Sequence, residues 1–112
     1  MTSPDHTGDF EQMVLLAVLR LDNQAYALDV LSELDARAGR RVTRGTLYKT
    51  LDRLDAKGLI DWDVEEAGPE RGGHPRRRFR VTPAGVRVLK TSRAALFRMW
   101  EGLEGKLGRL IS

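Results

Sequence analysis

The chain contains no cysteine, few aromatic residues (6%) and no long hydrophobic run. The absence of cysteine excludes disulfides, thiolate metal sites and a cysteine nucleophile. The longest apolar run, residues 13–19, is too short to span a bilayer, and no basic-then-apolar leader opens the chain. We therefore expect a cytoplasmic protein with no membrane partner. Its 112 residues, 41% of them hydrophobic, suffice for one domain with one core.

Residues suited to catalysis or cofactor binding are also scarce. The two histidines, His6 and His74, do not have the spacing of metal ligands, and the glycines between residues 68 and 73 lie between predicted strands, where no phosphate loop forms. No serine stands in a nucleophile elbow. We therefore expect no catalytic residue, no metal site and no cofactor; an enzyme would need an unrecognised site.

Charge is unevenly distributed, although the net charge is only +3. Residues 1–36 carry seven acids and one arginine, whereas residues 37–98 carry sixteen lysines and arginines against seven acids. A basic section beside an acidic one favours a polyanionic partner on one face of the protein. The alternative is a chance asymmetry of an ordinary soluble surface.

Residues 43–54 predict a helix with two different faces. Leu47, Leu51 and Leu54 share one stripe, at the spacing of a surface that faces a core. Thr43 is the predicted N-cap, because its hydroxyl can accept a hydrogen bond from a first-turn amide. An ordinary solvated helix has the same pattern, but such a face also suits DNA bases and phosphates. The face predicted opposite the leucines consists of Thr46, Lys49, Thr50, Arg53 and Lys57.

The flanking segments predict two further helices and a hairpin. Residues 10–21 are apolar nearly all round, so that helix must be central or covered by a second subunit. The next helix begins after Asp22 and Asn23, which can cap it, and stops at Gly39. Alternating residues on either side of a Gly/Pro-rich loop then predict two strands, with Trp62 in the core.

The C-terminal segment predicts one long, continuous helix that begins at Thr82 and Pro83. Its apolar stripe extends beyond what a three-helix core can cover, so we predict a dimer surface. Glycines at every third position from Gly102 are expected to loosen its end. The predicted dimer contacts are Leu89, Leu96, Trp100, Leu103, Leu107 and Leu110.

The order of these elements is that of a winged helix-turn-helix dimer. The predicted fold class is therefore mainly α with a small β-hairpin. We predict a flexible N-terminal tail at residues 1–9, a winged helix-turn-helix DNA-binding domain at residues 10–82 and a C-terminal dimerisation helix at residues 83–112.

Two motifs resemble those of PadR-type transcriptional regulators. They are TRGTLY at residues 43–48, which continues to KGLI at residues 57–60, and GHPRRRFRVTPAG at residues 73–85. The similarity spans roughly residues 10–90, and a single C-terminal helix resembles the short subtype of the family. Ala25 stands where many relatives have glycine and Phe79 where many have tyrosine, and neither change alters a DNA-facing charge. The resemblance implies a DNA-binding winged-helix dimer.

Candidate DNA contacts lie in the basic helix and near the hairpin loop. The side chains of the basic helix are predicted to approach the major groove, with Arg44 on a phosphate. The resemblance implies that the Tyr48 hydroxyl contacts the DNA backbone; a half-buried packing tyrosine is the alternative. Arg78 and Arg80, deeper in their strand, are expected to pair with acids across the hairpin, as the other hairpin arginines also could. The predicted DNA-binding residues are Thr43, Arg44, Thr46, Tyr48, Lys49, Thr50, Arg53, Arg71, His74, Arg76 and Arg77.

The sequence therefore predicts a homodimeric DNA-binding regulator, most simply a repressor that responds to a ligand. Its two basic helices would enter successive major grooves about 34–36 Å apart, on an inverted-repeat operator. By resemblance, Phe97 and Trp100 are candidates for stacking on a small planar hydrophobic effector between subunits; packing at the dimer interface is the alternative for Trp100. The rival function is a winged-helix protein-interaction module whose basic face binds an acidic partner protein.

Overall fold

The computed structural model describes residues 7–66, residue 72 and residues 75–111. This part confirms the predicted fold class, which is mainly helical with one hairpin. The first six residues of the predicted tail lie outside it. No helix of the described ranges is long and apolar enough to cross a bilayer. The elements are α1 (Asp9–Arg20), α2 (Ala27–Ala38), α3 (Arg44–Ala56), β1 (Ile60–Glu65), β2 (Arg76–Val81), α4 (Pro83–Trp100) and α5 (Glu104–Ile111).

The core forms where α1 packs against the leucine stripe of α3. Val14, Leu15 and Val18 of α1 are fully buried, and the three predicted leucines of α3 are at most 1% exposed. Burial of one such side chain contributes about 1.5–3 kcal/mol. The leucine stripe is therefore confirmed, and it fixes which side of α3 faces outward.

Several predicted helix ends are confirmed. The Thr43 hydroxyl accepts a hydrogen bond from the Thr46 amide at 3.1 Å, and the Thr82 hydroxyl accepts one from the Gly85 amide at 3.1 Å. Gly39 ends α2 in a left-handed conformation with φ of 64°, which glycine adopts without strain.

The predicted capping role of Asp22 and Asn23 is wrong. α2 begins four residues after Asn23, with Tyr26 at its N-cap and no side-chain cap. Asn23 instead binds the end of β2: its side chain accepts from the Val81 amide at 2.7 Å and donates to the Val81 carbonyl at 3.4 Å. Both residues have positive φ, which Asn and Asp tolerate better than most residues. They form the turn between α1 and α2.

The two strands form an antiparallel hairpin in which Ile60 pairs with Val81 and Trp62 with Phe79. Ala25 extends the sheet, because its amide and carbonyl both hydrogen-bond to Phe79, at 3.0 and 2.8 Å. Phe79 is 1% exposed, but Trp62 is 39% exposed, so the prediction that Trp62 lies in the core is wrong. Strand alternation gives the side on which a residue lies, whereas what covers that side depends on the packing of the hairpin.

The C-terminal segment is helical as predicted, but it is not one continuous helix. α4 ends at Trp100 and α5 begins at Glu104. Gly102 lies between them with φ of +79°, a conformation that helical residues do not adopt. The predicted continuity is therefore wrong at this turn.

Leu89 is also misplaced by the sequence prediction. It is 9% exposed and packs in the core of its own chain, so most of its surface is already buried without a second subunit. No residue of α4 or α5 beyond Leu89 is buried within the described part of the chain. The exposed large apolar side chains of this segment are Leu96, Phe97, Met99, Trp100, Leu107, Leu110 and Ile111.

At Gly85, α4 lies close to the backbone of Leu59 and to the side chain of Val81 in β2. A Cβ atom there would lie 2.3 Å from the Leu59 carbonyl oxygen and 2.7 Å from Cγ1 of Val81. We expect Gly85→Ala to lower the free energy of unfolding by about 1–3 kcal/mol, because backbone must move to admit the methyl group. Urea denaturation measures this loss.

Gly45→Ala is the matched control for Gly85→Ala. Its added Cβ would have no neighbour closer than the Thr43 hydroxyl oxygen at 3.9 Å. Within a helix, this change is expected to be neutral or to stabilise by up to about 1 kcal/mol. Equal losses in both variants would contradict the close approach at Gly85.

Candidate nucleic-acid interface

The outward face of α3 presents three exposed cations, Arg44, Lys49 and Arg53. The side chains of Arg44, Thr46, Lys49 and Arg53 are exposed, and that of Tyr48 is 37% exposed. Neither Arg44 nor Lys49 has an ion-pair partner among the described residues. Exposed cations on a rigid helix can approach phosphates and base edges without first breaking an internal contact.

Thr50 does not lie on this outward face, contrary to the sequence prediction. It is 1% exposed, because it stands three residues after Leu47 and four before Leu54 and so borders the leucine stripe. Its hydroxyl donates to the Thr46 carbonyl at 3.1 Å and accepts from Nη2 of Arg53 at 3.2 Å. Thr50 therefore supports Arg53 and has no surface to offer a partner.

Glu11 of α1 reaches two cations of α3. Nζ of Lys57 lies 2.9 Å from Oε1 and 3.2 Å from Oε2 of Glu11, and Nε of Arg53 lies 3.4 Å from Oε2. The Gly8 amide donates to Oε1 at 3.1 Å. Sequence reasoning missed this cluster, although a carboxylate in a nearly all-apolar helix is itself a signal that it needs partners.

The pKa of Glu11 reflects both its burial and its partners. Burial raises the pKa, but the hydrogen bonds from Lys57 and the Gly8 amide, with smaller contributions from the charge of Lys57 and the hydrogen bond from Arg53, outweigh it. The pKa of Glu11 therefore lies below its ordinary value. The carboxylate is ionised at neutral pH and fixes the position of both cations.

In the hairpin, the two inner arginines pair with acids as predicted. Arg78 donates to both oxygens of Asp63, at 3.2 and 3.0 Å, and Nε of Arg80 lies 3.2 Å from Oδ1 of Asp61. The hydrogen bond from Arg78 holds the pKa of Asp63 below its ordinary value. These arginines are committed to the hairpin. The hairpin formed by β1 and β2 is the wing of the fold. The predicted DNA-binding residues Arg71 and His74, which come between its strands in the sequence, lie outside the described residues.

Arg76, at the start of β2, contacts α2. Its guanidinium carbon lies 3.5 Å from the centre of the Tyr26 ring, and its Nη2 lies 3.5 Å from Oε1 of Glu65. The Tyr26 hydroxyl donates to the same carboxylate. Arg76 therefore helps to join the wing to α2 while its side chain stays 45% exposed.

Arg77 contacts α3 from the other side of β2. Its guanidinium carbon lies 5.2 Å from the ring centre of Tyr48 and 4.9 Å from that of Trp62, and its Nη1 lies 3.8 Å from Oδ1 of Asp52. The Trp62 indole nitrogen donates to Asp55 of α3 at 3.2 Å. Arg77 and Trp62 thus join the wing to the basic helix, a role that the sequence did not predict for either.

A cleft of about 490 Å³ lies where α2, α3 and β2 all begin. It brings together four predicted DNA-binding residues, whereas Lys49 and Arg53 are not among its lining residues. The described residues contain no group of three side chains that could hold a metal ion. The cleft is lined by Tyr26, Ala27, Leu28, Asp29, Arg44, Tyr48, Pro75, Arg76 and Arg77.

Comparison with known proteins places most of the chain in one family. The model of the PadR-like transcriptional regulator family matches residues 15–91. Transcriptional regulator Rv3488 of Mycobacterium tuberculosis is 41% identical over 75 residues, which are 67% of this chain and 65% of that protein. The chain thus spans slightly less than two thirds of this relative.

Solved structures share the fold. A PadR family transcriptional regulator from Eggerthella lenta is 29% identical, with a TM-score of 0.63 over 90% of this chain and 82% of that one. Bacillus subtilis PadR in complex with operator DNA gives a TM-score of 0.63 at 16% identity, over 74% of this chain and 45% of that one. The second match concerns the fold alone.

The buried Glu11 cluster predicts a pH-dependent contribution to stability. Glu11→Gln is expected to lower the free energy of unfolding by about 1–3 kcal/mol at pH 7, because Lys57 and Arg53 lose a charged acceptor. A lowered folded pKa means that the contribution is present above the unfolded pKa of about 4.3 and is lost as pH falls through the folded pKa. Urea denaturation at pH 7 and pH 3 should show a difference from the unsubstituted protein that shrinks at pH 3.

Asp9→Asn is the control, because Asp9 carries the same charge in the same first turn of α1. Its side chain is 84% exposed and lies 3.9 Å from Arg40. An exposed pair of this kind is worth less than about 1 kcal/mol. A stability difference for Glu11→Gln that stayed constant between the two pH values would contradict the role of the ionised carboxylate.

Proposed function

Because the chain belongs to the PadR-like family of transcriptional regulators, we propose that it binds an inverted-repeat operator as a homodimer and regulates transcription there. The observation that supports this best is α3, whose leucines pack on α1 while Arg44, Lys49 and Arg53 stay exposed. The Bacillus subtilis relative with the same fold was solved with operator DNA.

In this proposal the exposed residues of α3 divide between bases and phosphates. Thr46, Lys49 and Arg53 face base edges in the major groove, since Arg is the commonest reader of guanine and Thr can contact a thymine methyl group. Thr43, Arg44 and Tyr48 contact the backbone near the start of the helix. Wing contacts are proposed for the arginines and histidine on either side of the hairpin loop, namely Arg71, His74, Arg76 and Arg77.

The homodimer is proposed from the exposed apolar side chains of α4 and α5. Leu96 and Trp100 are 58% and 51% exposed, and Leu110 is 76% exposed. A surface of this kind favours association with another protein surface. Residues 83–112 then supply the dimer contacts and residues 10–82 the DNA contacts, although the first turns of α4 pack in the core of the DNA-binding part.

We also propose that the protein is a repressor and that a ligand relieves the repression. Phe97 and Trp100 of α4 are 67% and 51% exposed, and their rings could stack on a small planar hydrophobic effector between two subunits. Such an effector relieves repression only if it binds two spacings of the α3 helices unequally. The protein would act in the cytoplasm, where the DNA is, and the proposal requires no enzymatic activity.

Arg53 tests the specific part of the proposal. We expect Arg53→Ala to weaken binding to a duplex selected from a random pool by about 5- to 150-fold, because one bidentate contact contributes about 1–3 kcal/mol of discrimination. Binding to random duplex should weaken much less. Gel shifts at two salt concentrations measure both affinities.

The control for Arg53→Ala is Arg98→Ala, which removes an exposed arginine at the far end of α4. Equal losses on selected and random duplex for Arg53→Ala would make Arg53 a phosphate contact. No binding of the unsubstituted protein to any duplex at low salt would instead favour a basic surface that binds an acidic partner protein.

Leu96 tests the dimer. Leu96→Asp places a charge on the exposed face of α4, and we expect it to convert the dimer to a monomer and to abolish cooperative operator binding. Because Leu96 is 58% exposed in the single chain, the change should leave the fold intact. Sedimentation measures the mass, and circular dichroism the fold.

Leu28→Asp is the control for this substitution, because Leu28 of α2 is similarly exposed at 56% and lies away from α4 and α5 in sequence. It should leave the mass unchanged. A Leu96→Asp variant that still sediments as a dimer would contradict the proposed interface.

A further inference from the structure

We infer that Glu11 is a positioning residue that sets the sequence specificity of Arg53. Glu11 belongs to α1, outside the helix that carries the candidate DNA contacts, and its carboxylate accepts a hydrogen bond from the Arg53 guanidinium. The inference rests on the proposed function, and it assigns to α1 a part in the readout of DNA.

The Glu11 carboxylate is a fixed acceptor. The residue is 7% exposed, and one of its oxygens accepts from the Gly8 amide at 3.1 Å. Nζ of Lys57 contacts both oxygens, at 2.9 and 3.2 Å, and the Lys57 side chain is itself only 14% exposed. The carboxylate is therefore fixed by the backbone of α1 on one side and by α3 on the other.

The Arg53 guanidinium is bound at two points and is still accessible. Its Nε lies 3.4 Å from Oε2 of Glu11, and its Nη2 lies 3.2 Å from the Thr50 hydroxyl oxygen. Thr50 is buried and donates to the Thr46 carbonyl, so the second point is also fixed. The Arg53 side chain stays 56% exposed. Within the described part of the chain, two of its five N–H donors are used, and three remain for a partner.

A guanidinium oriented in this way reads a base better than a mobile one. Recognition of guanine requires the planar fork to meet two acceptors at once, and an arginine that is already ordered loses less side-chain entropy on binding. A phosphate also attracts a cation that is not held in one orientation, so nonspecific binding depends less on the position of the guanidinium. The contact with Glu11 should therefore favour the cognate base without adding attraction to DNA in general.

The negative charge of Glu11 weakens nonspecific binding to DNA. A carboxylate beside Arg53 and Lys57 reduces the positive field that attracts phosphates. Arg44 and Lys49, which have no ion-pair partner among the described residues, supply charge without such a restraint. Loss of Glu11 should therefore raise the affinity for random duplex. It should also lower the ratio of selected to random affinity.

A double-mutant cycle with Arg53 tests the inference. Affinities for a selected and a random duplex are measured for the full chain with Glu11→Gln, Arg53→Ala and both, below the unfolding temperature of each variant. In the Arg53 background, Glu11→Gln should lower the ratio of selected to random affinity by about threefold to tenfold. In the Arg53→Ala background the ratio should not change further.

Two further variants separate positioning from charge and from folding. Asp9→Asn makes the same change in net charge in the same turn of α1, and it should leave the affinity ratio unchanged. Glu11→Asp keeps the charge but withdraws the oxygens by one methylene, and it should lower the ratio without raising random binding. If Glu11→Gln does not fold, Glu11→Asp takes its place in the double-mutant cycle.

The outcomes are distinct. An unchanged ratio in Glu11→Gln, or an equal fall with and without Arg53, would overturn the positioning role while leaving the proposed function intact. An unsubstituted protein that binds selected and random duplex equally would overturn the proposed function and, with it, this inference.

Discussion

The packing of α3 on α1 is the interaction on which the rest of the structure depends. Leu47, Leu51 and Leu54 are almost completely buried against α1 and its neighbours, and this burial fixes the rotation of α3 about its own axis. Because side chains on a helix lie at fixed angles to one another, that single rotation decides that Lys49 is exposed and that Thr50 is covered. The candidate DNA surface is therefore a consequence of core packing.

Ion pairing and burial together then decide how available each of the many cations is. Arg78 and Arg80 are committed to acids of β1, and Lys57 is largely buried beside Glu11. Arg44 and Lys49 have no such partner in the described part of the chain. A basic composition alone does not distinguish these groups, because each has the same charge. Which cations are paired therefore depends on the acids that other elements place beside them.

Apolar residues are buried to different extents in two parts of the molecule. Around α1, burial is nearly complete, whereas α4 beyond Leu89 and all of α5 bury no residue within the described part of the single chain. A second copy would remove this apolar surface from water. The proposed dimer thus follows from an unequal distribution of burial, and the turn at Gly102 gives that surface two segments in place of one.

Periodicity in the sequence by itself determined which segments are helical, the hairpin and the leucine stripe, because side chains recur every 3.6 residues on a helix and every two on a strand. It did not determine the break between α4 and α5. Local chemistry also determined the caps at Thr43 and Thr82 and the stop at Gly39. Only the tertiary structure decided that Trp62 is exposed, that Leu89 is buried and that Glu11 meets Arg53 from 42 residues away. Periodicity gives the direction of a side chain relative to its own element, whereas burial and pairing depend on which other element fills the space it faces.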